Sequence, residues 1–491
     1  MGAINGKAFM ERIDNMNSEI WLDGRKVTQK LSTHPAFKGI LEEKAALFDL
    51  QTNLDLEQLM TFPSPDTGER IGMSYLQPKT KEDLYKRRKM MECWAKASFG
   101  MMGRSPDYLN TAVMSLASSA SLLTGKKNCF PENIVRLYEE ARERDLTFTH
   151  TFITPQVNRS QIFLEDAKEP ISAKVIARTS EGLVIKGARL LATQGGITDE
   201  VLVFGAPKYD KNEAFAFSIP SNTPGLKFIG RESFAGGKSH VDHPLSSRYE
   251  EMDCILVFND VLVPWSRVFF YDNLDAANEF LNSSSFHHFA LHQVLIRQIV
   301  KTEFLLGIAE LIIDTIDIRE YTHIQEKMAE IIITLETMKA LLDKSENDAM
   351  YDNFGGIVPN ITPLQVSSNI FSKNYPRFVE IIQLIGASGL VTLPTEAAFQ
   401  SEIRKDLLQY LQGANKQAVD RNKIFRLAWD LTMSAFGTRQ TQYERFFFGD
   451  PVRSASSLYR NYALDEHVRS VSSFLQLGNS DDDKPTNQQT I

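Results

Sequence analysis

Cysteine is scarce in this chain. Cys93, Cys129 and Cys254 stand far apart with no CxxC pairing. That argues against a disulfide framework, a zinc site and a four-cysteine iron–sulfur cluster, and it suits a reduced, cytoplasmic setting. Long apolar runs are missing as well: none approaches the roughly 18 residues a membrane span requires. The opening MGAINGKAFMERID carries no apolar signal segment. A basic surplus is also absent, because 54 Lys and Arg face 62 Asp and Glu for a net charge of −8, and the cations are scattered. Nothing there suggests a nucleic-acid partner. No GxGxxG opens a strand-to-helix unit and no GxxxxGK[ST] occurs, which disfavours Rossmann and P-loop binding. The expectation is a soluble cytoplasmic protein without a membrane or nucleic-acid partner.

What is present is a long, aromatic-rich globular chain. Its 491 residues, 43% hydrophobic and 24% charged, predict about three domains. The 31 Phe and 14 Tyr suit large apolar pockets. Residues 1–145 read as a helical domain, with helical spacing in EEKAALFDLQ, KEDLYKRRKMMECWAKASFGMM and PENIVRLYEEARERDL. The texture then changes to short β-type runs separated by turn residues, such as AKVIARTSEGLVIKGARLLAT and DCILVFNDVLVPWSRVFFY, which predicts an antiparallel barrel or sandwich over 146–273. Helices return over 274–477 as a bundle. There LHQVLIRQIVKTEFLLGIAELIIDTID is apolar on most faces and reads as the buried helix. The polar stretch 478–491 reads as a disordered tail.

The stretch FGMMGRSPDYLN, Phe99–Asn110, concentrates chemistry. Ser105 suits an N-cap and Pro106 a first helical position, so a helix is predicted to start here. Arg104 then lies just outside the helix N-terminus and Tyr108 in its first turn. Free backbone N–H groups, the helix dipole and a guanidinium converge on a place that favours an oxyanion or phenolate. The plain alternative is a capped helix with Arg104 in solvent and Tyr108 in the core. His150 sits in TFTHTFITPQVNRS, at the seam between the first helices and the β region, where pockets tend to form. A lone strand histidine is otherwise structural. Gln156, Asn158 and Arg159 follow it and could present polar groups to a ring edge or a phosphate. Thr193 ends a strand before a glycine turn that reads as a hairpin. QLIGASGL, Gln383–Leu390, could let a pyrophosphate approach the backbone, or it is simply a helix end. His287, His288 and His292 cluster, with the last two one helical turn apart. Lacking a nearby carboxylate or third ligand, they are expected to have surface or packing roles, and no metal site is expected.

Taken together, GRSPDYLN, THTFITPQVNRS, LLATQGGITDEVLVF, MDCILVFNDVLVPWSRVFFYDN and FGTRQTQYERFFFGDPV resemble the two-component flavin-dependent aromatic hydroxylases. The closest group is the 4-hydroxyphenylacetate 3-monooxygenase oxygenase components, and the likeness runs in order from about residue 5 to 470. It implies an α+β, acyl-CoA dehydrogenase-like fold: N-terminal helices, a middle β domain, a C-terminal helical bundle and a homotetramer. It also implies that a separate NADH-dependent flavin reductase supplies FADH2, which this component uses with O2 to hydroxylate a phenol ortho to its hydroxyl. On that pattern Arg104, Tyr108 and His150 surround the substrate hydroxyl as catalytic residues. Gln156, Val157, Asn158, Arg159 and Thr193 contact the flavin. Gly449, Asp450, Pro451 and Val452, with QLIGASGL, lie toward its adenosine end, across a subunit boundary. The far end of the substrate meets Gly205 and Ala206. Many relatives carry hydroxyl residues there, whereas these two offer only backbone amides, so phenol or a chlorophenol competes with 4-hydroxyphenylacetate as the substrate. Within the same superfamily, 4-hydroxybutyryl-CoA dehydratase would need cysteines at the positions of Arg104 and Tyr108. An acyl-CoA dehydrogenase would need a carboxylate base that nothing here identifies. A non-enzymatic protein keeping the fold would be favoured only if Arg104, Tyr108 and His150 failed to converge.

Overall fold

The computed structural model describes residues 2–155, 170–205 and 210–477. Its first part is helical: α1 (Gly6–Met16), α2 (Lys38–Gln51), α3 (Glu57–Met60), α4 (Lys81–Ala97), α5 (Pro106–Ser118) and α6 (Pro131–Arg144). Thr80 and Asp83 form a capping box at the start of α4. Nearly every residue of α5 is buried, which its small side chains TAVMSLAS permit. Two short strands interrupt these helices, β1 (Ile20–Leu22) and β2 (Arg25–Lys26), followed by the hairpin β3 (Thr61–Pro63) and β4 (Arg70–Gly72).

The β region holds β5 (Phe148–Thr151), β6 (Lys174–Arg178), β7 (Gly182–Thr193), β8 (Glu200–Phe204), β9 (Phe215–Pro220), β10 (Leu226–Gly230), the short helix α7 (Ser246–Tyr249), β11 (Asp253–Pro264) and β12 (Val268–Tyr271). Six strands lie in the order β2-β1-β10-β11-β7-β6 and four in the order β12-β9-β8-β5. Alternating apolar residues of the two sheets, among them Val203, Phe217, Phe228 and Leu256, share one core, the arrangement of a sandwich. Pairing is antiparallel except for β1 with β10 and β5 with β8. The β1–β10 pairing was not legible in the sequence, where IWL sits among helical segments.

The last part is helical again: α8 (Leu274–Ser283), α9 (Phe286–Ile316), α10 (Thr322–Asn347), the small hairpin β13 (Met350–Tyr351) with β14 (Ile357–Val358), α11 (Ile361–Gly386), α12 (Arg404–Tyr410), α13 (Ala418–Thr432), α14 (Ala435–Phe446), α15 (Pro451–Asn461) and α16 (Asp465–Phe474). As its apolar circumference requires, α9 is the central helix, packed by α4, α5, α10, α11 and α13. Behind the site, a buried Glu444 on α14 joins Arg297 at 2.6 Å and Lys301 at 2.8 Å, both on α9. These two cations hold its carboxyl at about 2 against the burial that would raise it.

Candidate active site

The segment before α5 shows how the site is anchored. The helix starts at Pro106 with Ser105 at the N-cap, as the motif predicts. The Ser105 hydroxyl, however, donates to the Asp107 carboxylate rather than capping the backbone. Buried N–H groups must find acceptors, and here Glu251 supplies them. Its carboxylate accepts from the Gly103 N–H at 2.9 Å and from the Arg104 N–H at 2.6 Å. The amide of Gln194 donates at 3.0 Å both to Glu251 and to the Arg104 carbonyl. Glu251 thus takes up the two N–H groups just ahead of the N-cap, those of Gly103 and Arg104, which belong to the turn before α5 and not to its first turn. Gly103 is required by close approach, since a Cβ there would lie 2.4 Å from the Tyr443 ring.

The Arg104 side chain turns the other way. Its guanidinium lies 4.3 Å from the Phe447 ring centroid, 4.6 Å from Tyr108 and 5.6 Å from Tyr443, a cation–π cage. Nη1 is buried with no hydrogen-bond partner, and so is Nε2 of His150. No other described residue forms an ion pair with Arg104. Burial raises the Tyr108 phenol, against the opposing pull of Arg104 and Arg297, so Tyr108 stays a proton donor. Burial, then the Arg104 charge, holds His150 well below its ordinary value, so its imidazole is neutral. The Tyr108 and His150 rings meet edge to face at 6.0 Å.

These three residues line a single pocket of about 310 Å³, a volume within the range of small-molecule sites. Phe152 and Ile153 continue its wall beyond β5, and Leu281, Asn282, Phe286 and His287 close it from the α8–α9 corner. Phe446, Phe447, Phe448 and Gly449 form the side facing α14. Leu191 enters from β7, where the ladder to β11 slips between Cys254 and Leu256. This bulge puts Leu191 at φ +66° with 52% of its surface exposed. Bulges re-aim side chains in this way, at a cost in backbone strain.

The remaining expected residues distribute differently. Thr193 ends β7, but its hydroxyl donates to Asp253 at 2.9 Å and it does not line the pocket. Gly205 follows β8; its N–H donates to the Phe215 carbonyl at 2.7 Å, and a Cβ would strike the Glu213 carbonyl at 1.7 Å. Ala206 and Gln156, Val157, Asn158 and Arg159 lie outside the described residues. Gly449 lines the pocket, Asp450 caps α15, and Pro451 borders a narrow adjoining cleft with Ser368, Ser372 and Ser454. Val452 is exposed. Of the histidine cluster, His292 bonds Glu346 at 2.7 Å and His288 bonds the Pro359 carbonyl at 2.8 Å. Among the described residues no group of three metal-ligating side chains forms. His287, expected with His288 and His292 to have a surface or packing role, lines the pocket, and Glu251 carried no sign in the sequence.

Known proteins share this chain's sequence and fold. Residues 5–270 match the family described as 4-hydroxyphenylacetate 3-hydroxylase N terminal, and residues 277–476 match its C-terminal counterpart. A Bacillus subtilis (strain 168) protein named probable 4-hydroxyphenylacetate 3-monooxygenase is 63% identical, over 97% of this chain and 99% of its own. A crystal structure of the oxygenase component of 4-hydroxyphenylacetate 3-monooxygenase, complexed with FAD and 4-hydroxyphenylacetate, superposes with a TM-score of 0.92. It is 42% identical and covers 96% of this chain and 98% of that one. An archaeal 4-hydroxybutyryl-CoA dehydratase from N. maritimus shares the fold, with a TM-score of 0.86 at 18% identity, over 99% of this chain and 97% of that chain. Matched almost end to end by both halves of the family, this chain belongs to the 4-hydroxyphenylacetate 3-hydroxylases.

Proposed function

We propose that this chain is the oxygenase component of a 4-hydroxyphenylacetate 3-monooxygenase. It converts 4-hydroxyphenylacetate, O2 and reduced FAD to 3,4-dihydroxyphenylacetate, oxidised FAD and water. The observation that carries this reading is a guanidinium caged by aromatic rings, with an unpartnered Nη1, in the same pocket as a neutral histidine and a protonated tyrosine. Such a set suits a phenol: the charge favours the phenolate, and the rings receive its apolar face. Bound FAD, supplied reduced by a separate NADH-dependent reductase, contributes the oxygen activated from O2. Gln156, Val157, Asn158, Arg159 and Thr193 would hold its ring, and Gly449, Asp450, Pro451 and Val452 its adenosine end. The orphaned buried donors and the aromatic wall fit that pairing of a flat ring with a phenol.

The chain's own residues act on the substrate oxygen. Arg104 stabilises the phenolate and makes the ring electron-rich at the ortho carbon. Tyr108 donates a hydrogen bond, and neutral His150 offers Nε2 to the same oxygen or to a proton leaving it. The wall of Phe152, Phe286 and Phe447 excludes water. Gly205 and Ala206 border the far end of the substrate, where Gly205 sets the shape through its close approach to Glu213. Residues 1–145, 146–273 and 274–477 act as helical, β and bundle domains. The protein works in the cytoplasm as a homotetramer; among the described residues no helix is long and apolar enough to cross a membrane.

The test mixes the purified protein with chemically reduced FAD, O2 and 4-hydroxyphenylacetate. The expected product is 3,4-dihydroxyphenylacetate; no catechol from this acid or from simple phenols would overturn the reading. Arg104→Ala removes a charge-assisted hydrogen bond worth about 1.5–3 kcal/mol. It should cut product formed per reduced flavin by about 10- to 100-fold, with hydrogen peroxide rising in its place. Unchanged coupling would make Arg104 a helix-end residue only.

A further inference from the structure

We propose that Glu251 is a positioning residue for Arg104, gripping its main chain so that its guanidinium keeps its charge free for a substrate oxygen. The inference rests on the reading in which Arg104 receives the phenolate. A buried carboxylate beside a buried arginine ordinarily pairs with the guanidinium. Here both Glu251 oxygens are filled by other donors: the N–H groups of Gly103 and Arg104, the Gln194 amide, and Nη1 of Arg439 at 3.4 Å. Gln194, itself at φ +61°, adds the grip on the Arg104 carbonyl. The Arg104 peptide is thereby fixed on both sides by side chains, outside any helix or strand. The residues come from the end of β7, the approach to β11, and α14. Arg439 extends the grip, joining Asp253 at 2.7 and 2.9 Å. With its backbone placed by Glu251 and its guanidinium enclosed by Tyr108, Tyr443 and Phe447, Arg104 meets the pocket in one orientation.

Glu251→Gln keeps the size but replaces one acceptor oxygen with an NH2 that faces donors. Gln194→Leu removes the bridge without adding a clash. Asp430 provides a matched control: its buried carboxylate also accepts from two backbone N–H groups, those of Leu245 and Ser246, at 2.8 and 2.9 Å, but outside the pocket. The experiment titrates 4-hydroxyphenylacetate anaerobically against pH with each protein holding reduced FAD, reading the phenolate ultraviolet band of the bound phenol. KM and product per reduced flavin follow aerobically. Glu251→Gln, Gln194→Leu and Arg104→Ala should each raise the pH at which the bound phenol ionises by about one unit, a tenfold loss of phenolate at a given pH. KM should rise and coupling fall, while Asp430→Asn matches the wild type. A shift in Arg104→Ala with none in Glu251→Gln and Gln194→Leu would overturn the role of Glu251 and leave that of Arg104 standing. No shift in Arg104→Ala would overturn the reading beneath it. An equal shift in Asp430→Asn would reduce the effect to general loosening and also reject the proposal. If Glu251→Gln fails to fold, Gln194→Leu decides.

Discussion

His287 faces the pocket from the first turn of α9, and burial, with a smaller contribution from His288, pushes its imidazole down to about 4. In the unfolded chain the same group titrates near 6.5. As pH falls below about 6.5 the unfolded state therefore takes up a proton that the folded state refuses. The stability is complete above that pH and is lost between about 6.5 and 4, by at most about 1.4 kcal/mol per pH unit. His287→Phe should flatten this acid limb in thermal melts recorded from pH 7 to 4.5. An unchanged limb would assign the loss to other groups. His150, depressed in the same direction, should act alike, but its removal also alters the site. Single residues differ in how far they can be read in advance. Arg104, Tyr108 and His150 belong to short motifs whose residue types name their chemistry. Glu251 acts through backbone N–H groups that have no signature in the sequence. The N–H groups of Gly103 and Arg104 stand just before a motif that names a helix start but not the buried carboxylate that comes to meet its neighbours.

At the scale of elements, β7 is the most informative. Its helix–strand–helix context was legible because apolar spacing changes visibly near Asp145 and again near Asn273. The bulge within it was not, since ARLLAT reads as a plain strand end before a glycine turn. The slip that aims Leu191 into the pocket sets Leu190 and Leu191 of β7 against the single residue Ile255 of β11. A leucine in left-handed backbone carries about 1–2 kcal/mol of strain, and glycine there would lose up to about 1 kcal/mol through its own flexibility. Leu191→Gly is thus expected to leave the melting temperature level or slightly raised, while the pocket loses an apolar wall and product per reduced flavin drops. A fall in stability with unchanged coupling would show that Leu191 serves the sheet and not the pocket. Phe447 offers a related lesson. The run FFFG was legible only as part of the family resemblance, yet the Phe447 ring stands over Arg104 and lines both the pocket and the cleft beside it.

For the whole molecule, the exposed face of the last helices is the feature to explain. On α16, Val468, Val471 and Phe474 recur at helical spacing, with Leu475 just beyond its end, and Phe474 is 85% exposed. A stripe of this kind on one chain marks an interaction surface. Under the proposed tetramer a second copy covers it, so Val471→Asp with Phe474→Asp should shift light-scattering mass toward dimer or monomer. An undiminished tetramer would place the contact elsewhere. The pairing of β1 with β10 has a different outcome, concerning the order in which the protein is made. Ile20 meets Phe228 in register, so the sheet cannot be finished until about 200 further residues have left the ribosome. At ordinary synthesis rates that is a delay of about 10–40 s. During that interval the nascent hairpin of β1 and β2 keeps one edge of β1 open. The earliest helices can form, but the element that joins them to the sheet is sealed only once nearly half of the chain has been made.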